Sequence, residues 1–524
     1  MCRPFLAVPI AILAVLLAPL AAQTQAERAE ALKEFRRFFR KFKSVEEQVE
    51  AVRTLREAES PDACEELFEL LGHETQEIVV VAREVMGGYR DPASFANLVA
   101  ALPKMKDQGR RAQLVDVLGE AQIKDAMPVV LEIATTDKKA PAELRFAAVG
   151  AFAACGYKEG VESLMTALLA DPEPLVRMGT AEAIGRLRLA ALGTPLVPLL
   201  DDPAWQVQVA AGKTLAIVRE PSAVAPMIQL MRKGGRLEEE TADALFRITG
   251  LDFGRDADAW QTTWDRLSAI PGWRIPTDEE LQKAAASRQK YDALYGKLKD
   301  GTTTFGGIPT TSRRMLFIID VSGSMADLVV EREKFDTGYR DFEKLTIVKR
   351  ELLNTIDALG ENVFFNICAF ATDTRTWKSS LVRANVVNRA SAKAWVERLE
   401  PIGGPEAQAL AGAGLGGTAN LGAGKTNTYA ALTLPFGVDP DGRVDASEAE
   451  AGAMRNEIDT VFFLSDGRPS TGKHTDTAQI LAEVSRLNER FHIVIHALAI
   501  GEFEKNFMKV LAESNGGVFV DLGR

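Results

Sequence analysis

The sequence predicts an α-solenoid followed by an α/β domain built on a doubly wound, mostly parallel sheet. Three features carry this reading: a helix-pair unit that recurs through the first half, a turn-rich break after about residue 270, and strand-length apolar runs alternating with amphipathic helices from Arg314 onward. At 524 residues the chain is too long for a single hydrophobic core, so two or more domains are expected. Hydrophobic residues make up 46% and charged residues 26%, the balance of a globular protein. A net charge of −11 disfavours nucleic acid and anionic lipid and directs the search for partners to proteins and small ligands.

Residues 1–22 read as a secretory signal peptide, with Arg3 ahead of an uncharged apolar run, Phe5 to Ala22, that ends in small residues. The run also reaches the lower limit for spanning a bilayer, so an uncleaved N-terminal anchor associated with the membrane is the alternative; Pro9 and Pro19 interrupt its helix. In either case the bulk of the chain is expected to be extracytoplasmic: periplasmic, secreted or membrane-anchored. Export permits disulfides, yet of the four cysteines Cys2 falls in the leader, and the remaining Cys64, Cys155 and Cys368 are odd in number and lack C-x-x-C spacing, so they are expected as buried small hydrophobes.

Residues 27–268 form the repeat region. The tripeptides Tyr89-Arg-Asp, Ile123-Lys-Asp, Tyr157-Lys-Glu, Leu187-Arg-Leu and Val218-Arg-Glu recur at steps of 34, 34, 30 and 31. Most lie between an apolar, Ala-rich helix and the next, and Asp-Pro turns at Asp171 and Asp202 separate the pairs. A fixed period with two helices per unit defines an α-solenoid, and from Tyr89 to Gly250 it resembles HEAT-like repeats. Such an array implies either a protein-binding face or a scaffold that positions the next domain. At its start, EFRRFFRKFK places Phe35, Phe38, Phe39 and Phe42 on one helical face, which fits a capping helix; a basic amphipathic helix on a membrane is the alternative. Trp260 and Trp264, at i and i+4, look like the closing cap.

Residues 269–312, rich in Pro, Thr and Gly around one polar helix, read as a linker. Residues 313–524 carry the α/β pattern. Its strands are expected at 315–320, 363–370, 460–466, 492–500 and 517–522, with a shorter one near 374–378. Ligands of open α/β sheets bind beyond the carboxyl ends of the strands. There the first run opens into Asp320-Val-Ser322-Gly-Ser324, the third into Ser465-Asp466-Gly467, and the loop before TYAAL supplies Thr426. Three hydroxyls and two carboxylates form an all-oxygen set of low charge, suited to Mg²⁺, with Mn²⁺ or Ca²⁺ as alternatives. Coordination so rich in hydroxyls leaves the metal open to a carboxylate from another protein.

In this arrangement the sequence from Arg314 to Leu522 resembles a von Willebrand factor type A domain, whose metal-ion-dependent adhesion site has the pattern D-x-S-x-S, a threonine loop and an S-D-G aspartate in this order. The resemblance implies that Ser322, Ser324 and Thr426 ligate the metal and that Asp320 and Asp466 act largely through water. It further implies a non-enzymatic adhesion module that binds an Asp or Glu of a protein partner. Two segments depart from a compact family member: a Gly/Ala-rich insertion at 402–424, and a polar loop at 438–456 in which Asp439, Asp441 and Asp445 lack the full spacing of a calcium loop.

Two other readings compete. One is a structural scaffold whose metal site only stabilises loops. The other is an ATPase, because Ala419-Asn-Leu-Gly-Ala-Gly-Lys-Thr426 matches the relaxed phosphate-loop pattern. A phosphate loop must join a buried strand to a helix, whereas six glycines lie between Ile402 and Thr418, and the ATPase reading leaves Asp320, Ser322 and Ser324 unexplained. The histidines His73, His474, His492 and His496 pair with no recognisable nucleophile motif, so no catalytic residues are expected.

Overall fold

The computed structural model describes residues 25–137, 139–295, 303–329, 342–403, 424–438, 457–466, 468–501 and 505–522. The expected leader at 1–22, most of the 402–424 insertion, and Asp439, Asp441 and Asp445 lie outside these residues. No helix among the described residues is long and apolar enough to cross a membrane. The chain divides into two compact units, Met1–Leu164 and Met165–Arg524.

The first unit is helical. Its opening helix, Gln25–Phe38, buries Leu32 and Phe35, and Phe39 follows them into the interior, where its ring packs 4.9 Å from that of Phe35. Phe38 stays exposed beneath Arg37 and Lys41, so the phenylalanine face divides between core and cation-covered surface. Cys64 and Cys155 are buried and unpaired, and burial pushes both thiols up. Cys368 is likewise buried and unpaired in the second unit.

The recurring tripeptides have a common physical cause. Each of the last four begins at or beside a residue with left-handed backbone that ends a helix: Gln122 (φ 58°), Gly156 (φ 62°), Arg188 (φ 52°) and Arg219 (φ 57°). The next amide reaches back five residues, as in Ile123 N to Leu118 O at 2.9 Å and Leu189 N to Ile184 O at 3.1 Å, which is the Schellman closure. Only Gly adopts this conformation without a Cβ penalty. Arg188→Gly is therefore expected to stabilise the chain by about 1 kcal/mol, read as a rise in the urea midpoint. The Asp-Pro turns serve the same stacking. Arg177 grips Asp202 through two hydrogen bonds of 2.7 and 2.8 Å, and Asp202 caps the following turn through the amide of Ala204.

In the second unit the helical pattern runs to Ser268, and Trp260 is fully buried with its ring 5.0 Å from that of Phe253. Within 269–312, helix Asp278–Tyr295 is pinned to the repeats by Arg219–Asp278 and by Arg288 to Asp243 and Asp252. A hairpin follows, β1 (Thr303–Phe305) and β2 (Ile308–Thr310). Phe305 is buried against Phe317 and Phe462, so the hairpin packs on the sheet.

The sheet contains β3 (Arg314–Asp320), β4 (Phe364–Phe370), β5 (Thr374–Thr376), β6 (Val382–Arg383), β7 (Thr460–Ser465), β8 (Val494–Ala499) and β9 (Phe519–Asp521). Its order is β5-β4-β3-β7-β8-β9, with β6 also on β4. The pairs β3–β4, β3–β7, β7–β8 and β8–β9 are parallel, and β5 and β6 run antiparallel to β4. Strand β3 shows why its sequence is a continuous apolar run: Met315, Phe317 and Ile319 enter one core, Leu316 and Ile318 the other. Helices α1 (Lys344–Ala358) and α2 (Val386–Glu397) cover the first face; α3 (Thr428–Thr433), α4 (Thr477–Phe491) and α5 (Lys505–Ser514) cover the second. From β3 the chain moves outward to β4 and then returns to β7 on the other side, which places a topological switch point between β3 and β7.

The last repeats dock on the amino-terminal edge of this sheet. Arg236, stacked 4.8 Å over Trp205, donates to the carbonyls of Asp459, just before β7, and His492, just before β8. His492 Nε2 lies 3.0 Å from Glu182, and Arg313 pairs with the Lys233 carbonyl. Near this edge His496 is buried, accepts the amide of Val518 on Nδ1 and stacks on Phe462. Burial, aided by Arg236, pushes it down to about 4. The folded state thus resists protonation that the unfolded chain accepts below its ordinary value near 6.5. The neutral histidine contributes full stability above pH ~6.5 and loses about 3 kcal/mol as pH falls to 4. His496→Gln is expected to flatten that part of the stability-versus-pH curve relative to the parent, measured by urea unfolding at pH 7.5 and 4.5.

Candidate metal centre

Strands β3 and β7 end side by side, and each delivers a carboxylate at the switch point: Asp320 as the last residue of β3, Asp466 directly after β7. Asp320 is fully buried. Its Oδ1 accepts the amide of Ser322 at 2.8 Å and its Oδ2 the hydroxyl of Ser465 at 2.6 Å, so it braces the turn from beneath. Burial first, and then the nearby charge of Asp466, push its carboxyl up to about 6. Two carboxylates that repel one another at a buried edge form a site that favours a cation.

The turn that follows β3 aims the serines. The hydroxyls of Ser322 and Ser324 lie 3.3 Å apart, and Ser324 Oγ donates to Asp466 Oδ1 at 2.8 Å. The threonine loop is stitched to this turn by Gly323 N to Gly424 O at 3.1 Å. Thr426 is buried there, its amide held by Ser470 Oγ at 2.9 Å and its carbonyl accepting the Ser470 amide at 3.0 Å. Asn427 then caps α3 by accepting the Ala430 amide. Gly472 makes this possible: at φ 104° it passes so close that a Cβ would lie 2.1 Å from Asn427 Oδ1.

All five residues singled out from the sequence, Asp320, Ser322, Ser324, Thr426 and Asp466, therefore meet at one edge. The donor set fits a hard divalent cation: oxygen only, two carboxylates, and the Ser322 and Ser324 hydroxyls 3.3 Å apart beside them. Sequence reasoning assigned no role to three participants. Ser465 and Ser470 hold the backbone and carboxylate framework. Lys344, the first residue of α1, places its ammonium on Asp466 Oδ2 and within 3.4 Å of the Ser324 carbonyl. One signal was available for the lysine: a cation at a helix N-terminus opposes the helix dipole and calls for a nearby carboxylate. Lys425, by contrast, is exposed, and its amide bonds Thr372 Oγ1. His474 lies edge-on to Tyr429 at 4.9 Å.

A von Willebrand factor type A domain model matches residues 336–414 and 419–521, and a HEAT-repeat model matches 161–245. The chain carries a von Willebrand factor type A domain behind HEAT repeats. The matched part of this domain begins after Asp320, Ser322 and Ser324, which join it through β3 at the centre of its sheet. Among curated proteins, inter-alpha-trypsin inhibitor heavy chain H1 of Sus scrofa is 25% identical over 207 residues, 39% of this chain and 18% of the relative. Heavy chain H3 of Mus musculus is 31% identical over 93 residues, 18% of this chain and 9% of the relative. The match to H1 thus spans less than a fifth of that relative's length. Among solved structures, a von Willebrand factor type A protein from Catenulispora acidiphila is 22% identical with a TM-score of 0.26, covering 41% of this chain and 39% of that one. The PilB minor pilin from Streptococcus sanguinis is 16% identical with a TM-score of 0.26, covering 41% and 59%.

Proposed function

We propose that this is an exported, non-enzymatic protein-binding molecule whose type A domain grips a partner through a divalent cation. Ser322, Ser324 and Thr426 would hold Mg²⁺, or Mn²⁺ or Ca²⁺ in its place, with Asp320 and Asp466 supplying charge. The ion's chemistry is that of a Lewis acid whose remaining position takes a carboxylate, so the partner presents Asp or Glu. The observation that carries the reading is the convergence of Ser322, Ser324 and Asp466 above the buried Asp320. The chain's own residues orient and charge the site: Asp320 fixes the turn, Ser470 fixes the threonine loop, and Asn427 starts the helix behind it.

The scaffold reading, in which metal only stabilises loops, has less to explain. Protein hydrogen bonds already tie the loops to one another through Gly323–Gly424 and Thr426–Ser470. The last repeats dock at the sheet edge opposite the candidate metal centre, which suits a support for this domain whose own surface serves as a second binding face. The test is recovery of native partners by the full chain with Mg²⁺, with EDTA, and with Asp320→Ala. Recovery in Mg²⁺ alone supports metal-bridged binding; equal recovery in all three contradicts it.

A further inference from the structure

Lys344 brings to the candidate metal centre a positive charge that the donor-set logic does not need. Its side chain is 13% exposed and that of Asp466 1% exposed, so this is a largely buried ion pair. The two oxygens of Asp466 have different tasks: Oδ1 faces the serine hydroxyls through Ser324, and Oδ2 takes the ammonium. The lysine starts α1, where the helix dipole is positive, and its end packs against Gly501, just beyond β8. Position and dipole both disfavour a cation here; the Asp320–Asp466 pair, two negative charges at one buried edge, is what holds it.

We infer that Lys344 is a built-in competitor of the divalent ion: its ammonium holds one oxygen of Asp466 and lowers the centre's affinity for metal. The inference rests on the metal-binding reading and adds what tunes it. With both aspartates ionised and Lys344 protonated, the protein contributes one net negative charge to the centre instead of two. A dication entering beside the ammonium meets like-charge repulsion that the serines and threonine cannot screen. The centre therefore responds to metal concentration over a higher range than its carboxylate count alone implies. Lys344 is a positioning residue, acting on the metal through Asp466.

The experiment is calorimetric titration of MgCl₂, and separately MnCl₂, into the full chain and its Lys344→Met and Lys344→Arg variants. Removing the charge is expected to tighten metal binding about tenfold, the effect of a unit charge on a dication some 6 Å away even in a water-like medium. Lys344→Arg, which keeps the charge, is expected to bind as the parent does. A lysine that merely props up the fold gives the opposite sign, with the Met variant weaker. Equal or weaker binding by Lys344→Met, with the parent binding normally, overturns this inference and leaves the metal-binding reading standing. No binding by the parent overturns both. Should the Met variant fail to fold, Lys344→Gln, which keeps a donor for Asp466 without the charge, is expected to show the same tightening.

Discussion

Arg236→Ala is expected to cost about 3–5 kcal/mol, the penalty for breaking a buried charged network by removing one partner. The guanidinium satisfies two backbone carbonyls, those of Asp459 and His492, and lies on the Trp205 ring. It also lowers the cost of the buried Asp459 carboxylate, which burial pushes up and Arg236 draws back down. Its loss takes a donor from both carbonyls and the compensating charge from Asp459, which keeps only the neutral hydroxyls of Ser312 and Thr460 on its carboxylate, where the last repeats meet the sheet. Calorimetry should show a midpoint lowered by on the order of 10 °C, with the sheet unfolding separately from the repeats. Arg236→Lys should recover little, because one ammonium cannot reproduce a fork that places Nη1 between both carbonyls and Nη2 on Glu240. An unchanged single transition for the alanine variant would mean that the docking is incidental.

Asp320→Asn has the second large effect, and it acts in two directions. The carboxyl of Asp320 is pushed up to about 6 in the folded chain, above its unfolded value of 3.8. The sign follows from linkage: the folded state is favoured by the protonated form below pH ~3.8, and this advantage is lost as pH rises to about 6. At neutral pH the ionised form therefore costs about 3 kcal/mol in the metal-free protein. The neutral amide keeps an acceptor for the Ser322 amide, turns the Ser465 hydroxyl from donor to acceptor, and removes the repulsion with Asp466. The variant should melt higher than the parent in EDTA and gain nothing from Mg²⁺, whereas the parent should gain. A purely structural Asp320 would give a variant that melts lower under both conditions.

Much of this architecture was readable from residue order. The alternation of Met315, Phe317 and Ile319 against Leu316 and Ile318 is hidden in a run that is apolar throughout, and that continuity is what marks a strand buried on both faces. The D-x-S-x-S turn was legible because a strand must end at Asp320 for its carboxylate and the two serines to share one edge. What escaped depends on contacts distant in sequence. Lys344 meets Asp466 across 122 positions, and Arg236 meets His492 across 256. In neither pair does a local pattern name the partner. The hairpin at 303–310 was hidden for another reason: its strands are three residues each, and only the burial of Phe305 gives them a face. The tripeptide repeat was visible as a period, but its cause was not, since a left-handed helix end at Arg188 or Arg219 has none of the glycine that usually announces it.

The central claim is that one divalent cation binds where β3 and β7 end. Titration calorimetry of MgCl₂ into the EDTA-stripped full chain, alongside a Ser322→Ala, Ser324→Ala double variant, tests it most directly. The account predicts a single site in the parent and its loss in the double variant, with the fold of both unchanged by circular dichroism. Absence of binding in the parent, or equal binding in the double variant, would contradict it.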